Sequence, residues 1–232
     1  MVPEFAVDEV EVNAFCPFEL TDAAVDLRAD RFPTVVRPWS APTGLELLPT
    51  GTHFGFVHSG PAELACAAGE FRLAAGMYFS VPGSAAVRGG SGLAITREGF
   101  YGFFHLGGPV EETGRLRYID GCTDSLLIPP VKLGDPCLNL LHIPPHTRQS
   151  SHTHPSLRVG LIVRGSGQCV TPDARFPLRP GRAFVIIADQ LHSFHTDDEP
   201  LVVIAYHPDS DFGPTDECHP MVNRTILPEV RR

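Results

Sequence analysis

Two stretches of this chain repeat one another at a fixed distance, and few folds accommodate such a repeat. The segment Arg158-Val-Gly-Leu-Ile-Val-Arg-Gly165 matches His53-Phe-Gly-Phe-Val-His-Ser-Gly60, with Gly160 on Gly55 and Gly165 on Gly60. Continuing without a gap, Phe176 falls on Phe71, Leu178 on Leu73, Gly181 on Gly76 and Phe184 on Phe79, always 105 residues apart. Further along, Tyr206 falls on Tyr101. A duplicated β-unit would keep glycines at strand ends and aromatics inside strands; chance likeness between glycine-rich strands is the competing reading. A single register held over roughly 30 residues favours duplication. The chain's 232 residues suffice for two such units, each with its own core.

Local signals agree with a β-fold. The 22 glycines and 23 prolines are spread along the chain, which is the pattern of many short elements separated by turns. Val159 to Val163, Ala183 to Ile187 and Leu201 to Tyr206 are short apolar or β-branched runs bounded by turn residues, and each reads as a strand. Only Thr21 to Asp30 carries a helix signal, with Thr21 or Asp22 as N-cap. The stretch 121–136, with Pro129-Pro130 and Gly134-Asp135-Pro136, reads as a linker. It separates a unit at 1–120 from a second at 137–210, and residues 211–232 read as a tail wrapping the barrel or a partner subunit.

The chemistry concentrates in the second unit. His152-Thr-His154 places two imidazoles at i and i+2, on one face of an extended segment, and His192 follows after the next strand pair. Three histidines converging inside a β-structure suit Zn, Fe, Ni, Mn or Cu and leave coordination positions open. On these residues the chain resembles the cupin family. The family's first motif is matched by His152, His154 and Gly165, with His146 in place of its first glycine and Arg158 in place of its glutamate. The second is matched by Gly181 and His192, with Ile187, Asp189 and Thr196 in place of its proline, glycine and asparagine. The resemblance implies two tandem double-stranded β-helix (jelly-roll) barrels, with one divalent metal, Fe, Zn, Ni or Mn, on the three histidines. At an offset of 105, these histidines fall on Leu47, Pro49 and Val87, so the first barrel is expected to hold no metal.

Arg158 is the largest departure from the family pattern. Turned inward, it would set a cation beside a dication held by neutral ligands, a repulsive arrangement unless an anion such as a substrate carboxylate lies between them. Turned outward, it would pair with a surface acid. Tyr206 and His142 are further candidates for substrate contact, although the matching Tyr101 favours packing for Tyr206 and an ordinary strand histidine is the safer reading of His142. His195, His146, His53 and His58 read as surface or structural histidines, and Asp216-Glu-Cys-His219 as a tail segment without a spaced ligand pair. Cys169 reads as a buried thiol. Apart from Asp189, at a turn-glycine position, no Asp or Glu occupies a motif position, so no catalytic acid or base can be named.

Charge and composition narrow the partners. The formal net charge is −9 without basic clusters, which argues against nucleic acid. No apolar run approaches the roughly 20 residues that span a bilayer, and Met1-Val2-Pro3-Glu4 starts no signal peptide. Six cysteines without CxxC spacing suit a reducing, cytoplasmic setting. Met221-Val222 and Ile226-Leu227 suggest apolar surface buried in a homo-oligomer, a dimer by expectation. Two functions fit: a dioxygenase-like metal enzyme acting on a small carboxylate-bearing substrate, or a metal- and ligand-binding sensor without turnover. Isomerase or decarboxylase chemistry is a further alternative.

Overall fold

The computed structural model describes residues 15–222. The readings made on Met1 to Glu4 and on Ile226-Leu227 lie outside these residues, as does the side chain of Val222. Among the described residues the ordered elements are twenty strands and two single-turn 3-10 helices. The chain is all-β.

The strands form four open sheets, none of which closes on itself into a barrel. A seven-stranded sheet runs, in spatial order, Phe15–Glu19, Arg182–Ile186, Arg158–Gly165, Leu201–His207, Cys137–Ile143, Thr123–Ile128 and Leu116–Arg117. A three-stranded sheet of Arg175–Leu178, Gly167–Val170 and Ser193–His195 packs against it through Ile162, Cys169, Leu178 and Phe194. The first half is built the same way. Its six-stranded sheet is ordered His105–Gly107, Tyr78–Pro82, Gly51–Ser59, Ser91–Glu98, Thr34–Ser40 and Val25–Leu27. Its partner is a four-stranded sheet of Leu45–Leu47, Ala85–Arg88, Ala62–Cys66 and Gly69–Leu73, packed through Leu47, Leu64, Leu73 and Val87. The two large sheets stack on each other through a third core that includes Phe54, Phe56, Leu138, Leu140 and Tyr206. Apolar residues on both faces of a strand, as in Arg158–Gly165, follow from this layering.

One packing device recurs at the repeat positions. A Cβ added at Gly55 would lie 2.0 Å from the Phe79 ring, and one at Gly160 would lie 2.1 Å from the Phe184 ring. Each glycine leaves the space that the phenylalanine of the neighbouring strand fills.

Strand pairing also corrects the offset. Leu64 pairs with Val87 and Cys169 with Phe194, so Val87 corresponds to Phe194, 107 residues on. Ala94 pairs with Gly55 and Ala205 with Gly160, which raises the offset to 111 on the last long strand. Two assignments change. Leu47 pairs with Ala85 just as His152 bridges His192, so the counterpart of His192 is Ala85 rather than Val87. Tyr206 corresponds to Ile95, whereas Tyr101 lies outside the strands and is 62% exposed. The extra residues sit in loops, where insertion leaves the sheets undisturbed.

Two local expectations also fail. Thr21 to Asp30 forms no helix: Val25–Leu27 pairs with Thr34–Val36 as an edge strand. Asp22 accepts from the Glu19 amide at 2.7 Å and Asp26 from the Arg28 amide at 3.0 Å, local bonds that compete with a helix. The stretch 121–136 is more than a linker, because Thr123–Ile128 pairs with Cys137–Ile143 in the large sheet. In the same sheet, Phe15–Glu19 pairs with Arg182–Ile186, and Glu19 accepts from Arg179 and Arg182. A strand from the chain's start thus completes the second half.

Candidate metal centre

His152 and His192 lie opposite each other, joined by His152 N–H to His192 C=O at 2.9 Å and the reciprocal bond at 3.0 Å. The three imidazoles form a triangle, with ring centroids 4.6 Å (His152–His192), 5.0 Å (His152–His154) and 5.2 Å (His154–His192) apart. Their potential donor atoms lie within 4.8 Å of one another, the only cluster of this kind among the described residues.

The tautomers suit a metal. His152 Nδ1 is 2.9 Å from the Ser150 carbonyl and His192 Nδ1 is 2.8 Å from the Gln190 carbonyl. A carbonyl can only accept, so each Nδ1 carries the proton and each Nε2 keeps a free lone pair. Burial holds His154 down at about 3 and His192 at about 4, and Arg158 and the neighbouring imidazoles add to the effect. Both rings are therefore neutral and available as ligands at pH 7.

The loops that carry these rings are pinned from outside. The Asp120 carboxylate accepts from Ser150 N–H at 2.6 Å and Ser150 O–H at 3.2 Å, and Ser150 is the residue whose carbonyl orients His152. Asp189 N–H donates to the His154 carbonyl at 2.7 Å. Three non-glycine residues take a positive φ among the described residues: Asp120 (54°), His146 (58°) and Asp189 (59°). The last two occupy the glycine positions of the family motifs. At both positions the backbone takes a left-handed turn without a glycine, a conformation that Asp tolerates better than most residues.

A cavity of about 410 Å³ opens over the triangle, between the two sheets of the second half. Arg158 lines it and is only 8% exposed. One guanidinium nitrogen donates to the Ser156 carbonyl, the Ser156 hydroxyl and the Leu157 carbonyl at 2.7–3.0 Å, while Nε has no partner. No carboxylate forms an ion pair with it among the described residues, although Asp209 and Asp211 lie near enough to influence it. Of the two orientations open to Arg158, the structure takes the inward one.

His207 also lines the cavity and is absent from the sequence-level candidates. It follows Tyr206, which pairs with Val159, so it is adjacent to Arg158 across the strands. Its ring centroid is 6.3 Å from that of His154, and burial lowers its pKa well below the ordinary histidine value. Asp124 and Asn139 stand on the cavity wall, and burial pushes Asp124 up to about 6. His207 could have been found by parity, since Val203, Ala205 and His207 share one face. Asp124 could not, because its segment was read as linker.

The same parity removes two candidates from the cavity. Tyr206 faces the core between the two large sheets, fully buried, with its ring 5.2 Å from Phe54. His142 is absent from the cavity wall, to which Asn139 and Leu141 of the same strand belong. The remaining histidines take structural or surface places. His53 is buried between Thr96 Oγ1 and the Gly83 carbonyl, and His195 lies 3.2 Å from Ser193 Oγ. His146 is exposed, with Asp198 at 4.0 Å, and Asp216 to His219 joins no metal-type cluster. Burial pushes the Cys169 thiol up to about 12, which makes it unreactive.

Comparison with known proteins bears on the fold. A family model described as an AraC-like ligand binding domain matches residues 136–212, the part that carries the histidines. No curated protein matches the chain. Among solved structures, a cupin 2 conserved barrel domain protein from Leptotrichia buccalis is 10% identical with a TM-score of 0.56, over 87% of this chain and 90% of its own. The oxalate decarboxylase of Bacillus subtilis, described with Mn(II) centers, is 12% identical with a TM-score of 0.55, over 85% and 78%. A mutant of the salicylate 1,2-dioxygenase of Pseudoaminobacter salicylatoxidans, in complex with gentisate, is 10% identical with a TM-score of 0.59, over 79% and 73%. Among the described residues no helix is long and apolar enough to cross a membrane. These structures share the fold of this chain, so the chain has the cupin fold, and its residues 136–212 match the AraC-like ligand binding domain model.

Proposed function

We propose that this chain is a bicupin of two tandem jelly-roll units, whose second unit binds one divalent metal on His152, His154 and His192 and a small carboxylate-bearing molecule beside it. The observation that carries the reading is Arg158. A buried guanidinium with an unpartnered Nε and no carboxylate in ion-pair contact is costly, and it shares a cavity with the three imidazoles. A carboxylate bridging guanidinium and metal would offset both charges. His207, held neutral against Arg158, can hydrogen-bond the same ligand. The apolar residues of the wall lower the local dielectric and strengthen each of these contacts.

The chemistry that Fe, Zn, Ni or Mn supplies in such a site is Lewis-acid polarisation of a substrate oxygen or activation of dioxygen. Dioxygenase-like turnover is the favoured reading, because three neutral ligands leave positions open and the walls are apolar. The sensor reading is favoured by one observation, the match of residues 136–212 to a ligand-binding domain model. The decarboxylase or isomerase reading is favoured by another, since Asp124, held up near 6 in the cavity wall, is a group able to hold and release a proton near neutral pH. Self-association as a dimer and a cytoplasmic setting, in keeping with six unpaired cysteines, complete the reading.

The test is metal analysis of protein purified without added metal, then calorimetric titration of acetate into the Mn(II)-saturated wild type, Arg158→Gln and Arg158→Glu. One metal per chain is expected in each. Acetate should bind the wild type at least tenfold more tightly than either variant, and Arg158→Glu should hold the metal more tightly. Equal acetate affinities in all three would overturn the anion site. Oxygen uptake or carbon dioxide release with a panel of acids separates turnover from sensing.

A further inference from the structure

The cavity that Arg158 anchors has a second, chemically different end. Four large apolar side chains that a folded chain would ordinarily cover remain exposed around it: Leu116 at 54%, Tyr118 at 41%, Phe212 at 38% and Leu126 at 37%. They come from three separated segments, the edge of the large sheet, the strand Thr123–Ile128 and the chain after His207, yet all line the same cavity. Deeper in, Leu141, Val203 and Phe184 continue the apolar wall towards the histidines. Scattered exposed apolar residues need no explanation; four converging on one concave site with a buried cation in it do.

Size points the same way. A volume of about 410 Å³ lies within the range of roughly 300–1,000 Å³ typical of pockets that enclose drug-sized ligands, and a two-carbon acid would leave most of it to water against apolar walls. The geometry points to an amphipathic ligand: we infer that the site takes a monocarboxylic acid with an apolar body of about six to ten carbons. Its carboxylate would meet Arg158 and its body would cover Leu116, Leu126 and Phe212. This inference rests on the anion site proposed above and adds the class of molecule.

The experiment is calorimetry on the full chain saturated with Mn(II), with acetate, oxalate, octanoate, 3-phenylpropionate and the neutral 3-phenylpropionamide as probes. Octanoate or 3-phenylpropionate should bind at least tenfold more tightly than acetate and oxalate, and their order tells an alkyl from an aryl body. Leu126→Ser and Phe212→Ser, at exposed positions whose replacement leaves the cores intact, should weaken the larger acids about fivefold and leave acetate unchanged. Acetate or oxalate binding as tightly as the larger acids would overturn the inference, as would no binding by any acid. So would mouth variants that change sedimentation but not affinity, because the patch would then be an interface between copies. Failure of the anion reading looks different: the amide would bind as tightly as its acid and Arg158→Gln would have no effect, while the mouth variants still weakened both.

Discussion

Gly55 and Gly160 play the same part in the two halves of this molecule, whereas Trp39 and Leu141 play opposite parts. Both glycines make room for a phenylalanine from the neighbouring strand. Trp39 pairs with Gly92 and fills the interior of the first half, so closely that a Cβ at Gly92 would lie 2.3 Å from its ring. At the equivalent pair in the second half, Leu141 opposite Val203, both side chains line an open cavity. The same division recurs at the ends of the sheets, where Leu47 and Ala85 are buried apolar residues while their counterparts His152 and His192 face each other as prospective ligands. At the next pair, His53 is satisfied by Thr96, whereas Arg158 beside His207 lacks an acid partner. One half fills its interior by packing; the other keeps it hollow, with polar groups set among apolar walls. Two halves of similar strand order can divide packing and cavity in this way because the two large sheets share a continuous core, so the packed half supports the hollow one.

The largest effect expected of a test of this division is on metal binding. His152→Ala combined with His154→Ala should abolish binding, measured as metal per chain, with the circular dichroism and cooperative unfolding of the apo protein retained. Collapse of the fold would mean that the triangle is structural. Metal found around Leu47 and Ala85 in the wild type would break the comparison outright.

Next in size is stability. Trp39→Ala should destabilise the protein by about 3–5 kcal/mol, the usual cost of deleting a buried aromatic. Leu141→Ala, at the equivalent place on a cavity wall, should cost under about 1.5 kcal/mol because there is little packing to lose. Equal costs in urea denaturation would mean that the second interior is as tightly packed as the first.

Asp120→Ala should weaken metal binding about 10-fold, in line with other residues that orient a ligand from outside. It removes the anchor of Ser150, whose carbonyl sets the His152 ring. Asp120→Asn keeps an acceptor and should restore part of the affinity. No change in either variant would show that the loop holds its shape without this carboxylate.

The smallest effect concerns pH. Burial raises the folded pKa of Asp124 to about 6, above its unfolded value of about 3.9. The folded state therefore binds the extra proton, and this group's contribution is complete below about pH 4 and lost as pH rises through about 6. Asp124→Asn should remove that slope and stabilise the metal-free protein at pH 7 by about 1 kcal/mol, allowing for partial exposure. A variant less stable at pH 7 would mean that the ionised carboxylate has a favourable partner in the fold.

How much was legible without the structure differs by residue. The repeat, with its recurring glycines and phenylalanines, the main strands and the three histidines could be read from spacing, because strand periodicity and turn chemistry are local. The site's second layer could not. His207, Asp124 and Asn139 reach the cavity through strand register, and Asp120 reaches His152 through a loop some 30 residues away in sequence. The helix signal at Thr21 to Asp30 yielded to pairing with Thr34–Val36, since tertiary contacts outweigh propensity over so short a segment. The offset of 105 ceased to hold after Phe184 because loops absorb insertions that a sheet does not.

Composition, periodicity and motif spacing by themselves determined a β-chain with a repeated pattern and three histidines poised to converge in its second half. Only the tertiary structure decided that Arg158 turns into the cavity and Tyr206 into the core between the large sheets, that one interior is filled and the other hollow, and that four apolar side chains ring the opening. The physical reason is the two-residue period of a strand: which face a side chain takes follows from register and from the sheet packed opposite, and neighbours in sequence specify neither.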